Sequence, residues 1–156
     1  MEGRVEDELR GSARHSLVQA LGSVPGFDLL DDPTLLQIAG ASSNLLYRAG
    51  NVVFEHGETA DALYIVLAGA VQLGAYGDRP EVTLGTGHYF GEMSMLLETP
   101  RTRKVWAIED SELLVLPQDS FHRLLSEQPE LERHVRARLQ ERLSGAEATG
   151  EPADSR

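Results

Sequence analysis

The stretch Phe90-Gly91-Glu92-Met93-Ser94-Met95-Leu96-Leu97-Glu98-Thr99-Pro100-Arg101-Thr102-Arg103-Lys104-Val105 decides how this chain is read. It runs from a strand end through a glycine and an acid into one apolar helical turn. A proline then stops the turn and sets the backbone extended just before Arg101. The order brings three groups within reach of one small anion. Backbone N–H groups are left without helical partners where the short helix begins after Gly91. Glu92 supplies a carboxylate that accepts hydrogen bonds from hydroxyls. Arg101 supplies a guanidinium that holds a phosphate by two parallel bonds.

Outward from this stretch, the chain punctuates itself into short β runs. They are Leu45–Tyr47, Val52–Phe54, Leu63–Leu67, Val71–Leu73, Val82–Leu84, Lys104–Ile108 and Glu112–Leu116. Glycine-rich turns separate them, which predicts a closed antiparallel sandwich or roll. On the N-terminal side, Leu17, Val18 and Leu21 recur at helical spacing. Pro25-Gly26 breaks that segment, and Asp32 is the expected cap of a short helix with Pro33 at its first position. On the C-terminal side, a helix starts at Asp119 or Ser120, and Pro129 opens a last one to about Leu143. That last helix carries the narrow stripe Leu131, Val135, Leu139 and Leu143, expected either to cover the roll or to meet a partner helix.

The predicted fold is therefore mainly β with flanking helices. It is an antiparallel, jelly-roll-like β-roll with an N-terminal helical segment, a short helix at the central stretch and C-terminal helices. Residues 1–15 and the tail 145–156 are expected to be disordered on composition, and 16–144 to form one domain, with the roll at about 45–117 and the helices at about 118–144.

The net charge is −11, and it sets aside a nucleic-acid footprint and an anionic membrane surface as partners. An anionic small ligand must then be drawn by a local focus of cations, which Arg101, Arg103 and Lys104 supply. No apolar run reaches a membrane span, and no export signal is visible, so the cytoplasm is the default location. About a dozen polar residues follow Leu143, too few for a helix-turn-helix. The five histidines form no His-x-His pair, and cysteine is absent, so no metal site is expected. Neither G-x-S-x-G nor a Walker glycine loop occurs, so the expected function is non-enzymatic, with no cofactor.

The central stretch resembles the phosphate-binding cassette of the cyclic nucleotide-binding domain family. Phe90-Gly91-Glu92-Met93-Ser94-Met95, then Pro100-Arg101-Thr102 and Val105, follow that family's F-G-E-(L/M)-(A/S)-L and P-R-(A/S/T)-A-(T/S)-V in order and spacing. Phe54 to Gly57, Asp61, Leu63 to Leu67, Gly69 and Val71 resemble its second motif, and Tyr47 with Gly50 its lead-in. The resemblance covers roughly residues 27–125. It implies a sensor module that binds cAMP, more than cGMP, through Gly91, Glu92, Met93, Ser94, Arg101 and Thr102. Phosphate would lie on Arg101 and the amides after Gly91, and ribose on Glu92. Val71, Leu73, Val82, Phe90 and Arg103 would line the pocket. The last helix would close as a lid, with Arg136 or Arg138 as its capping group. Thr102 tilts slightly toward cGMP.

Two positions depart from the pattern. Arg103 stands where a small alanine is usual, and Lys104 where threonine or serine is usual. The added charge either strengthens phosphate attraction or fills the space the ring needs. The second course makes the chain a ligand-free interaction or oligomerisation module, with a homodimer through the C-terminal helix. Under the first, the partner is an effector protein, or an effector domain acting in trans.

Overall fold

The computed structural model describes residues 16–144, so the two segments expected to be disordered lie outside the described residues. The core is a pair of four-stranded antiparallel sheets. Strands β1 (Ser43–Tyr47), β8 (Ser111–Pro117), β3 (Ala62–Ala68) and β6 (Tyr89–Phe90) form one sheet in the order β1-β8-β3-β6. Strands β2 (Val52–Phe54), β7 (Val105–Ala107), β4 (Ala70–Leu73) and β5 (Val82–Gly85) form the other in the order β2-β7-β4-β5. This is the β-roll that the strand-and-turn pattern predicts.

The unbroken apolar run on β3 has a simple cause: both of its faces are covered. Leu63 and Ile65 face helices, in a core with Leu21, Phe27, Phe121 and Leu131. Ala62, Tyr64 and Val66 face the other sheet, in a core with Phe54, Val71, Leu84 and Phe90. Strand β8 repeats the division, with Leu114 and Leu116 on the helical side and Leu113 inside the roll.

The helices fill in around this. Residues 16–22 form α1, and a 3₁₀ turn follows at Phe27–Leu29. Helix α2 (Asp32–Ala41) is capped by Asp31, whose carboxylate accepts from the Thr34 N–H at 3.0 Å. The expected cap, Asp32, is instead the first helical residue, because only Asp31 lies three residues before an N–H lacking a helical partner. Helix α3 (Glu92–Leu97) sits after β6, and α4 (Gln118–Glu127) and α5 (Pro129–Leu143) end the described chain.

The α5 stripe takes the first of its two expected courses. Leu131, Val135 and Leu139 are buried within the chain, while Leu143 is 43% exposed. Leu131 and Val135 join Leu21, Val24 and Phe27 in the helical core, which leaves them no face to offer a second copy.

Gly69 joins β3 to β4 at φ +92°, and a Cβ there would lie 2.4 Å from Ser111 Oγ and 2.6 Å from the Asp110 carbonyl oxygen. Gly57 has the same φ of +92° but nothing within 4 Å. Gly69→Ala should therefore cost about 3 kcal/mol, from backbone strain plus overpacking. Gly57→Ala should cost about 1 kcal/mol from the backbone alone. Urea unfolding checks this as two midpoint shifts at constant slope, the first the larger.

Candidate functional site

The cassette lies where β6 leaves the roll. Gly91 caps α3 in the left-handed region, at φ +96° and ψ −2°. A Cβ at this position would stand 3.0 Å from Arg101 Nη1 and 3.3 Å from the Ala62 carbonyl oxygen, so glycine is required for the arginine to reach inside. Helix α3 ends at Glu98, which adopts φ +55° and donates its N–H to the Ser94 carbonyl. The turn is thus closed two residues before Pro100, which sets the extended approach to Arg101 instead.

Arg101 is 2% exposed. Its Nη1 donates to the Gly91 carbonyl and its Nη2 to the Ala62 carbonyl, both at 2.8 Å. Its guanidinium carbon lies 4.1 Å from the centre of the Phe54 ring. Nε is buried and has no hydrogen-bond partner among the described residues. Among the described residues its ion-pair partner is Asp61, 3.8 Å away and largely in solvent. Burial draws the Arg101 pKa below the usual guanidinium range, opposed by Tyr64 and Asp61. The positive charge is therefore held in the interior mainly by neutral carbonyls and a ring face. Tyr64 stacks on Phe90 at 5.2 Å, and burial pushes its hydroxyl up to about 12, so it stays neutral.

Glu92 is fully buried, and its partner is Arg142 on α5. Arg142 Nη1 donates to Oε1 at 2.8 Å and Oε2 at 2.5 Å, and Nη2 donates to the Tyr89 carbonyl at 3.3 Å. The pair is 5% and 0% exposed at its side chains. Arg142 lines the inner cavity while Glu92 lies behind it.

That cavity is lined by Phe90, Gly91, Met93, Ser94, Arg101, Thr102 and Arg103, with Leu73 and Arg142. Its volume is about 40 Å³. At about 30 Å³ per water, it has room for roughly one water. It adjoins a wider basin of about 460 Å³ that shares Met93, Arg101, Thr102 and Arg103, and adds Tyr76, Leu97 and Leu143. A group larger than phosphate must use both spaces.

The remaining expected residues fall as follows. Ser94 donates its hydroxyl to the Pro100 carbonyl at 3.2 Å, which leaves its oxygen only acceptor positions. Arg103 is buried, and its Nη1 donates to the Gly74 and Pro80 carbonyls at 2.8 and 3.1 Å. It therefore lines the cavity with its guanidinium drawn toward the β4–β5 hairpin. Leu73 and Phe90 line the cavity, whereas Val71 and Val82 pack between the sheets and do not. The expected capping groups also stand elsewhere. Arg136 pairs with Glu132 at 2.7 Å on the outer face of α5, and Arg138 lies 5.9 Å over the Tyr89 ring. Helical geometry decides this: 142 lies two turns after Val135, at the centre of the inward face, whereas 136 is turned about 100° away from Val135. An arginine at a core-facing position was the available signal in the sequence. Among the described residues, no cluster of three metal-ligating side chains occurs, and no helix is long and apolar enough to cross a membrane.

Residues 45–128 match the cyclic nucleotide-binding domain family. The chain belongs to that family, whose members here include regulatory parts of larger proteins. It is 34% identical over 127 residues to a cyclic nucleotide-gated potassium channel of Rhizobium etli, covering 81% of this chain and 35% of the channel. It is 32% identical over 120 residues to the cAMP-dependent protein kinase regulatory subunit of Schizosaccharomyces pombe, covering 76% of this chain and 29% of that subunit. Among solved structures, the catabolite activator protein of Thermus thermophilus superposes with a TM-score of 0.68 at 31% identity, covering 79% of this chain and 60% of that one. The chain thus spans about a third of those two curated relatives.

Proposed function

We propose that this chain is a non-catalytic sensor module that binds a cyclic purine mononucleotide, cAMP in preference to cGMP, and passes occupancy to α5. The observation that carries the reading is Arg101. It is a buried guanidinium beside the cavity, with an unpartnered Nε and, among the described residues, an ion pair only to the solvent-exposed Asp61 at 3.8 Å. Such a group is costly to keep unless a ligand anion completes it. One cyclic phosphate supplies that charge, with the amides at the start of α3 as further donors. Met93 and Thr102 border the same space.

Ribose hydroxyls would bond to Glu92. Arg142 uses one acceptor position on each carboxylate oxygen, and each oxygen has a second. A small displacement of Arg142 lets ligand and helix share the carboxylate, which makes α5 responsive to occupancy. The base would extend into the wider basin. The name of the fission-yeast relative supports cAMP as the ligand. The output would run through an effector protein or domain, as the larger size of the relatives suggests.

The test is calorimetric titration of the chain with cAMP and with cGMP, paired with thermal melting. Saturable binding with tighter uptake of cAMP is expected. Ligand at about 100 times its Kd should add about 2.7 kcal/mol of stability, a rise in Tm of roughly 5–10 °C. A folded sample that takes up neither nucleotide at millimolar concentration overturns the proposal. The second reading, a ligand-free interaction module, would then hold. Its supporting observation is the narrow inner cavity, with Arg103 and Arg142 in its wall.

A further inference from the structure

The β4–β5 hairpin is tied to both halves of the site by arginines. On the cassette side, Arg103 Nη1 donates to the carbonyls of Gly74 and Pro80, the two shoulders of the hairpin. The Gly74 N–H returns a bond to the Lys104 carbonyl at 2.7 Å. On the helix side, Arg79 Nη1 donates to the carbonyl of Arg142, and its Nη2 to the carbonyl of Leu143 at 2.9 Å. Those carbonyls belong to the last described turn of α5, on the side that carries the negative end of the helix dipole. A guanidinium fork suits two adjacent carbonyls of this kind.

The position of Arg79 is set by its turn. Tyr76 and Arg79 exchange backbone hydrogen bonds of 3.0 and 2.8 Å across Gly77-Asp78, and Gly77 takes φ +57°. A two-residue hairpin turn needs that positive φ. The helical turn that Arg79 holds is the one whose Arg142 side chain sits on Glu92. The contacts therefore close a ring: cassette to hairpin through Arg103, hairpin to α5 through Arg79, and α5 to cassette through Arg142.

We propose that hairpin 74–81 is the clasp of the α5 lid, and that Arg79 is a positioning residue for ligand retention. It acts by holding the end of α5 over the cavity. Closed by the clasp, the lid slows escape of a bound nucleotide; released, it frays from its C-terminus. The retention half of this proposal rests on the nucleotide-binding reading above, and the clasp half stands without it.

The experiment uses the full chain with Arg79→Ala and Arg79→Lys. Hydrogen exchange of residues 136–144 is followed without ligand, and cAMP association and dissociation are followed by stopped flow. For Arg79→Ala, exchange at the end of α5 should rise about tenfold while β3 and β8 stay protected. Dissociation should speed up about tenfold with association changed less than twofold. Arg79→Lys keeps the charge but not the fork, and should fall between. Unchanged exchange at residues 136–144 overturns the clasp, even where affinity drops, since that pattern marks direct ligand contact. Faster exchange with an unchanged dissociation rate overturns the retention role. If the wild-type chain binds no cAMP, the failure belongs to the nucleotide reading, and exchange alone decides the clasp.

Discussion

Arg101→Ala is expected to weaken cAMP binding by about 100-fold or more. A bidentate, charge-assisted contact to phosphate contributes about 1.5–3 kcal/mol, and a tenfold change in affinity corresponds to about 1.4 kcal/mol. The contact alone therefore accounts for a factor of roughly 10 to 150, and a phosphate left in the cavity without its counter-charge adds to the loss. The substitution also acts on the fold. Arg101 satisfies the Gly91 and Ala62 carbonyls, and its guanidinium covers the Phe54 ring. Alanine removes both of these hydrogen bonds, the one to Ala62 buried, at about 1–3 kcal/mol each. Affinity must therefore be measured below the melting temperature of the variant, with Arg101→Lys alongside. Lysine keeps the charge and the stem packing but cannot form two parallel bonds, so it should retain more stability and still lose most of the affinity. An Arg101→Ala chain that is folded and binds cAMP within threefold of the parent would remove Arg101 from the site.

Arg142→Ala should cost about 3–5 kcal/mol of stability, a large effect for a residue one position from the end of the last helix. The reason is the partner and not the helix. Glu92 is fully covered, and removing Arg142 leaves a carboxylate in the interior with no cation. Replacing both members with uncharged groups of similar shape removes the unpaired charge along with the bond. Glu92→Gln with Arg142→Met should therefore cost less than Arg142→Ala alone. Guanidinium or urea unfolding of the parent, the two single variants and the double variant checks this as a cycle. A loss under 1 kcal/mol for Arg142→Ala would mean that the ion pair is solvated and that α5 is not locked to the cassette. The same cycle measured with saturating cAMP reports whether ligand and Arg142 share Glu92. Sharing predicts a smaller coupling between positions 92 and 142 when ligand is bound.

Much of the roll could be read from the chain itself. Short apolar runs, each ended by a glycine or polar turn, set the strands within a residue or two. The unbroken run Leu63–Leu67 marked a buried strand, observed as Ala62–Ala68. Gly91, Arg101 and Thr102 border one cavity because they are close in sequence, whereas Glu92 on the same stretch lies behind Arg142. Val71 and Val82 were misplaced for a related reason. Alternation says that a strand residue points to one face, but not which residues of that face a cavity reaches. The cap of α2 was off by one residue because two aspartates stand side by side and only the dihedrals separate them.

The sequence by itself determined the closed antiparallel roll, the cassette with its glycine and arginine, and the apolar stripe of α5. Each of these follows from side-chain period, turn chemistry or short-range spacing. Tertiary structure alone decided which arginines work together. Arg142 meets Glu92 from 50 residues away, and Arg79 meets the end of α5 from 63 and 64 residues away. Such pairings depend on how a helix is rotated and where its last turn stops against a hairpin. The stripe of α5 puts position 142 on the inward face, but no period in the sequence says which distant group an arginine there will meet.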